Sequence, residues 1–490
     1  MRRRLENLLP VMVVLLAALV RFWGLARESI WLDEATSIMI ARMDVRTLIV
    51  WVAADIHPPL YYLLLHAWIA LGQSEFVVRS LSVLFGVGTV AVTWALAREL
   101  FDSRVALFSA LLLALSPLHV FYSQEARMYV AAAMWSTLGS YLLLLALRRG
   151  SRAYWLGYFL ANTLALYTHY FAAFALLFQA LYALLHIWKG QARPTPALRR
   201  WLRSTVGIGI AFLPWLPTLV RQVLGGGGGW VERAIGRPSA MSLVDTWLQF
   251  SVGLEGHLYP AALRRAAYLL FAALLFSAVI AALNSRKNAS RAGYRDGVLF
   301  CIGSVVLPLG LIWLLSQWKP MYTIRYLLAF LPPYYVCAAA GLRNLRWKGL
   351  QLVTAFALLL ILAAGVWYNY QALQKPDWRS ATAYVVARVQ PGDVGLFSPR
   401  WNYKPFDYYA PGRLELDLDL PVLTTAEAAQ AAVNDISQRF KRVWFFWEED
   451  HYGDPQGIAK RLLDQRFRVL ETTQFPGVGS VILYQVQGVQ

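Results

Sequence analysis

Residues 8–37 read LLPVMVVLLAALVRFWGLARESIWLDEATS. The apolar part, residues 8–26, is long enough to cross a bilayer, which takes about 20 residues. Two adjacent carboxylates, Asp33 and Glu34, follow at the exit of that span. Locally, a solvated loop with Asp33 or Ser29 capping a short helix would account for them. The rest of the chain argues for more.

Of the 490 residues, 58% are hydrophobic and 20 are Trp, with a mean hydropathy of +0.45. That composition predicts a polytopic α-helical membrane protein with room for a soluble domain. The net charge of +18 is uneven, since residues 371–490 carry 13 Lys and Arg against 14 Asp and Glu. The basic excess therefore sits in the first 370 residues, where it reads as membrane topology and not as nucleic-acid binding. Cys301 and Cys337 both fall in apolar runs and read as packed thiols.

Hydrophobic runs recur near 57–71, 76–98, 104–122, 127–147, 153–169, 171–188, 204–224, 260–283, 297–317, 322–341 and 349–370. The run at 57–71 opens His57-Pro58-Pro59 and is rich in aromatic residues, so it reads as a short interfacial helix. With that run outside, the inner loops hold 20 Lys and Arg and the outer segments 12. A crossing at 57–71 would reverse the bias, so the positive-inside rule favours eleven spans, N-terminus inside and C-terminal domain extracytoplasmic. The Arg2-Arg3-Arg4 start and the run after it read as a retained first span in a cell membrane. Ten of the 14 acids in the membrane part then lie outside, which makes the external face the expected working face.

The chain is expected to comprise a membrane domain, residues 1–374, and an extracytoplasmic α/β domain, residues 375–490. The first external loop, 27–75, reads as short helices at 36–43, 45–54 and 60–71. The second large external loop, 225–260, begins with five glycines, Gly225 to Gly229, which suit either a plain linker or a loop that orders over substrate. In the C-terminal part, Asp377 is placed to cap a helix at 378–390. Strands are expected at 394–398, 442–447, 468–473 and 479–486, with helices at 425–440 and 455–466. No glycine-rich phosphate fingerprint marks a nucleotide site.

Under this topology five clusters fall at outer membrane ends: Asp33-Glu34, His57-Pro58-Pro59, residues 122–129 (YSQEARMY), residues 167–170 (YTHY) and residues 319–326 (KPMYTIRY). Singly, each has a plainer reading. Glu125 and Arg127 could pair at a headgroup surface, Lys319 and Arg325 could be snorkelling anchors, and His169 could be a satisfied histidine among tyrosines. Together, ionisable groups at membrane depth point to a site. A carboxylate can deprotonate an acceptor hydroxyl, while Lys and Arg hold a phosphate and stabilise its charge as it leaves. Sugar transfer from a membrane-anchored phosphate needs that combination. A transporter or flippase of a lipid-linked substrate would instead place charges at mid-span in paired halves, and neither is evident. A non-catalytic scaffold leaves the outer acids unexplained.

The Asp33-Glu34 pair after the first span, HPPLYYLL at 57–64, SQEARMY at 123–129, RYLLAFLPP at 325–333 and PDWRSATAYV at 376–385 together resemble the bacterial glycosyltransferases of the C superfamily. Within it, the chain is similar to the dolichyl-phosphate-mannose-protein mannosyltransferase-like, or family 39-like, group, related to the aminoarabinose transferases of lipid A. The resemblance covers about the first 400 residues. It implies inverting transfer of a sugar from a polyprenyl-phosphate donor to a hydroxyl of a protein, lipid or glycan acceptor on the outer face. It also implies that Asp33 is the base with Glu34 beside it, that Glu125 is a second acid in the second external loop, and that His57, Arg127, Lys319, Tyr322 and Arg325 face the donor phosphate; apart from the resemblance, Asp33 and Glu125 are expected to converge on one external pocket. Relatives often carry Lys where His57 stands. No cofactor is required on this reading. Some superfamily members use a divalent metal, for which Asp33, Glu125 and His169 are ligand candidates; His169 could equally meet the acceptor.

Overall fold

The structure, a computed structural model, describes residues 2–188, 196–224, 235–254, 260–285, 292–372, 374–416, 426–448 and 457–486. The expected glycine-rich loop at Gly225 to Gly229 lies outside them. The chain divides into two units, Met1–Leu25 with Met43–Leu373, and Ala26–Arg42 with Gln374–Gln490.

In chain order the helices are α1 (Arg2–Phe22), α2 (Leu32–Ala41), α3 (Val45–Ala54), α4 (Leu60–Trp68), α5 (Glu75–Leu100), α6 (Ser103–Ala114), α7 (Pro117–Ser123), α8 (Tyr129–Arg149), α9 (Arg152–Thr168), α10 (Ala172–Trp188), α11 (Pro196–Phe212) and α12 (Leu216–Leu224). Helices at Met241–Val252, Ala261–Asn284, Ala292–Leu315, Leu331–Asn344 and Lys348–Ala372 follow in the first unit. Among the described residues six helical stretches are long and apolar enough to cross a membrane, with α11 and α12 taken together. The pair α6 and α7, bent by 60°, makes a seventh if it is one span. Helix α4 and the 3-10 turn Ile69–Leu71 extend only about 18 Å, well short of a hydrocarbon core of about 30 Å. Gly72, at φ +140°, ends them.

The apolar run at 104–122 is not one helix. Pro117 has no N–H to donate and its ring clashes with the preceding turn, so the helix stops before Ser116. Ser116 Oγ then caps α7 by accepting from the His119 N–H at 3.3 Å. The break leaves the Ala114 carbonyl without a helical partner and the Leu113 carbonyl with the Ser116 N–H at 3.3 Å, and a fully buried Arg21 reaches both: Nη1 donates to Ala114 O and Nη2 to Leu113 O, each at 3.0 Å. Arg21 also donates to Ala17 O, to His119 Nδ1 at 2.9 Å and to Ser123 Oγ at 3.2 Å. A guanidinium in an apolar interior is tolerable only with its donors occupied in this way. Gly86 makes the room, because a Cβ there would collide with the Ser123 hydroxyl. Gly341 lets Leu331–Asn344 close onto Ala261–Asn284; its added Cβ would collide with the Leu274 carbonyl.

In the second unit, five strands, β1 (Asp393–Ser398), β2 (Glu415–Leu416), β3 (Arg442–Trp447), β4 (Arg468–Phe475) and β5 (Gly479–Gln485), form a mixed sheet in the order β2-β1-β3-β5-β4. β1 runs parallel to β2 and β3, and β5 antiparallel to β3 and β4. Both faces are covered, which is why β3 reads as an unbroken apolar run. Val443 and Phe445 meet Val433, Ile436 and Leu463 on one face. Trp444 and Phe446 meet Trp378, Val385 and Phe406 on the other. Asp377 caps the helix Trp378–Val386 as expected, accepting from the Ser380 N–H at 3.1 Å. Helix Tyr403–Tyr409 and strand β2 are additions to the sequence expectation.

Candidate active site

In the first unit the expected phosphate-facing residues gather around one histidine. His57 lies in the loop between α3 and α4 and is 4% exposed. Arg127 comes from the turn between α7 and α8 and is 5% exposed. Its Nη2 donates to His57 Nε2 at 3.2 Å and to the Tyr129 hydroxyl at 3.4 Å. The Arg127 carbonyl is fixed by Ser82 Oγ at 3.1 Å, and Ser82 in turn bonds Tyr61 at 2.7 Å. Glu125 sits two residues earlier in the same turn, 2% exposed.

His169 follows α9 and lies 5.4 Å from His57 between ring centroids. Tyr326 packs against both, at 4.9 Å from His169 and 6.1 Å from His57, and Arg325 lies over the Tyr326 ring at 5.6 Å. Phe171 and Tyr129 complete an aromatic wall. Burial, then the Arg127 guanidinium, the neighbouring His169 ring and the Arg325 guanidinium, push the His57 imidazole well below its ordinary range, so it is a neutral acceptor. His169 Nδ1 accepts from the Phe171 N–H at 3.2 Å, which puts the ring proton on Nε2. That buried Nε2–H has no partner among the described residues. Among the described residues, no group of three or more His, Cys, Asp or Glu side chains could hold a metal ion.

A cavity of about 160 Å³ adjoins the cluster. His57, His169, Tyr326 and Lys319 give it polar atoms, and Phe171, Leu219, Val223 and Met321 make most of its wall apolar. Lys319 Nζ donates to Val223 O at 2.8 Å. Tyr322 turns elsewhere, with its hydroxyl bonded to Thr246 at 2.8 Å. The structure thus brings together His57, Arg127, His169 and Arg325, sets Lys319 on the cavity wall, and leaves Tyr322 outside that lining. Tyr129, Tyr326 and Phe171 join the cluster, although their aromatic character in the sequence reads only as an interfacial belt.

Asp33 and Glu34 belong to the second unit. The expected helix at 36–43 begins earlier, at Leu32, so both carboxylates lie in the first turn of α2. Trp31, extended at φ −106° and ψ 176°, starts the helix without a side-chain cap. Carboxylates in the first turn are favoured by the free N–H groups and dipole there. Successive residues on a helix point about 100° apart. Glu34 is accordingly buried, and Asp33 is half-buried.

Residues 56–219 match the family described as dolichyl-phosphate-mannose-protein mannosyltransferase, and the match spans His57, Glu125, Arg127 and His169. No curated protein sequence matches the chain. Among solved structures it is similar to ArnT from Cupriavidus metallidurans in the apo state, with a TM-score of 0.65 at 13% identity over 98% of this chain and 99% of that one. ArnT bound to undecaprenyl phosphate gives 0.63 at 13% identity over the same shares, 98% and 99%. The Archaeoglobus fulgidus oligosaccharyltransferase in the apo form gives 0.56 at 13% identity, over 98% of this chain and 74% of that one. Likeness at this identity establishes the fold, a polytopic helical membrane part followed by a small α/β domain, in agreement with the sequence expectation.

Proposed function

We propose, for a chain with the glycosyltransferase C fold and a family 39-like segment at residues 56–219, that it transfers a sugar from a polyprenyl-phosphate donor to an acceptor hydroxyl on the outer face of the membrane. The observation that carries this reading is the convergence of Arg127, Arg325, His57 and the unspent Nε2–H of His169 beside a mostly apolar cavity. Guanidinium and imidazole N–H groups suit a phosphate, and apolar walls suit a lipid next to it. ArnT, whose fold this chain shares, has been crystallised with undecaprenyl phosphate.

In the reaction so assigned, Asp33 accepts the proton of the acceptor hydroxyl. The oxygen attacks the anomeric carbon, the carbon–oxygen bond to phosphate breaks, and polyprenyl phosphate leaves as an anion with inversion at carbon. Arg127 and Arg325 stabilise the charge gathering on the phosphate. His169 donates to one of its oxygens, and Lys319 marks the cavity rim. The C-terminal domain stands on the extracytoplasmic side with the acceptor, which is a protein, a lipid or a glycan. No metal enters any of these steps.

Purified protein incubated with a panel of polyprenyl-phosphate sugars and an acceptor extract is the test. Release of free polyprenyl phosphate coupled to glycosylation supports the assignment. Intact donor throughout the panel, from folded protein, would overturn it.

A further inference from the structure

The two carboxylates of the first turn of α2 do not have the same surroundings. Glu34 is 0% exposed, and Lys375 Nζ donates to its Oε2 at 3.1 Å. Lys375 is itself only 12% exposed at its side chain. It directly precedes the helix Trp378–Val386, and its backbone N–H donates to Glu28 Oε2 at 3.2 Å. The same short segment is laced to the chain ahead of α2 at further points. Arg379 donates to the carbonyls of Ala26 and Arg27 and, through its N–H, to Ser29 Oγ. Ser29 Oγ donates to Asp377 at 3.2 Å. Helix Tyr403–Tyr409 adds the Tyr409 hydroxyl, which accepts from the Ile30 N–H at 2.7 Å, and Lys404, which reaches Thr36 Oγ1 at 3.2 Å. All these groups belong to one unit.

A buried ion pair adds little net stability over an apolar pair of the same shape, but removing one partner strands the other charge. Its value is in fixing geometry and charge. We propose that Lys375 is a positioning residue: by holding Glu34 as a committed, ionised carboxylate at the base of α2, it fixes the helix turn and leaves Asp33 as the member of the pair that handles the acceptor proton. This rests on the function proposed above and deepens it. It explains why two adjacent acids are present when the reaction needs one base, and it gives the lead into the C-terminal domain a part in catalysis beyond linking.

The experiment is a double-mutant cycle in the full-length protein, with donor KM and kcat read from polyprenyl-phosphate release. Lys375→Met should lower kcat about 10-fold or more with donor KM changed less than about threefold, the range set by a stranded buried charge. Lys375→Arg should recover most of the rate. In a Glu34→Gln background the same Lys375→Met change should cost less than about threefold, because no charge is left stranded. The proposal is overturned if Lys375→Met costs as much in the Glu34→Gln background as in the parent, or if it acts mainly on donor KM, as a phosphate ligand would. Release by the unmodified protein is measured alongside, and its absence would strike the proposed function itself.

Discussion

Arg127 Nη2 donates to His57 Nε2 at 3.2 Å, so a neutral histidine orients a guanidinium by accepting from it. That bond leaves the remaining donors of the fork disposed from a fixed origin. Replacing Arg127 by Ala should raise donor KM by about 10- to 100-fold, the equivalent of losing a charge-assisted hydrogen bond of about 1.5–3 kcal/mol. Arg127→Lys should recover only part, because a point charge cannot reproduce the planar fork. Initial rates against donor concentration check this; an unchanged donor KM would contradict it.

The same pair predicts a pH response. Burial first, and the neighbouring cations second, lower the His57 pKa, so the unfolded chain takes up this proton before the folded one does. The contribution of a neutral His57 is therefore complete above the ordinary histidine value of about 6.5 and declines as pH falls below it toward the lowered value. Donor KM should be flat from about pH 8 to 6.5, and His57→Gln, a neutral acceptor, should keep that flat profile. A several-fold change in donor KM centred near pH 6.5, and lost in the Gln variant, would show instead that His57 titrates in the working range.

Arg21 predicts a stability effect at a distance from the chemistry. Arg21→Met would leave the Ala114 carbonyl without its donor and take one of two bonds from the Leu113 carbonyl and from His119 Nδ1, which keep the Ser116 N–H and the Ser123 hydroxyl. At about 1–3 kcal/mol for the one stranded buried carbonyl, with two further bonds lost beside it, the loss should be at least about 1 kcal/mol. The midpoint of thermal unfolding in detergent micelles should fall clearly, and the turn carrying Glu125 and Arg127 should become accessible to proteolysis at temperatures where the parent is protected. An unshifted midpoint would mean that the bend between α6 and α7 holds without Arg21.

Particular residues show how far the sequence alone carries. The strands of the C-terminal domain are legible because Val443 to Phe446 face alternate layers and all are apolar. Asp377 is legible as a cap because a short carboxylate ahead of an apolar run has few other uses. The bend at Ser116-Pro117 carries its own signal, a proline inside an apolar run, but hydropathy summed over 104–122 conceals it. Its stabiliser, Arg21, reads as a span-end cation. The His57, Arg127 and Arg325 grouping follows from their motifs. The separate surroundings of Asp33 and Glu34 do not, because Lys375 lies 341 residues away from Glu34 in sequence. Periodicity reports which face is buried, and only the tertiary structure reports what it is buried against.

Asp33 tests the central claim most directly. Asp33→Asn keeps the size and the helix position of the side chain and removes its ability to take a proton. In purified, normally folded protein supplied with a donor that the parent uses, polyprenyl-phosphate release at saturating donor and acceptor should fall by about 10²- to 10⁴-fold, the usual loss for a general base. Release at the parental rate from the Asn variant would contradict the account.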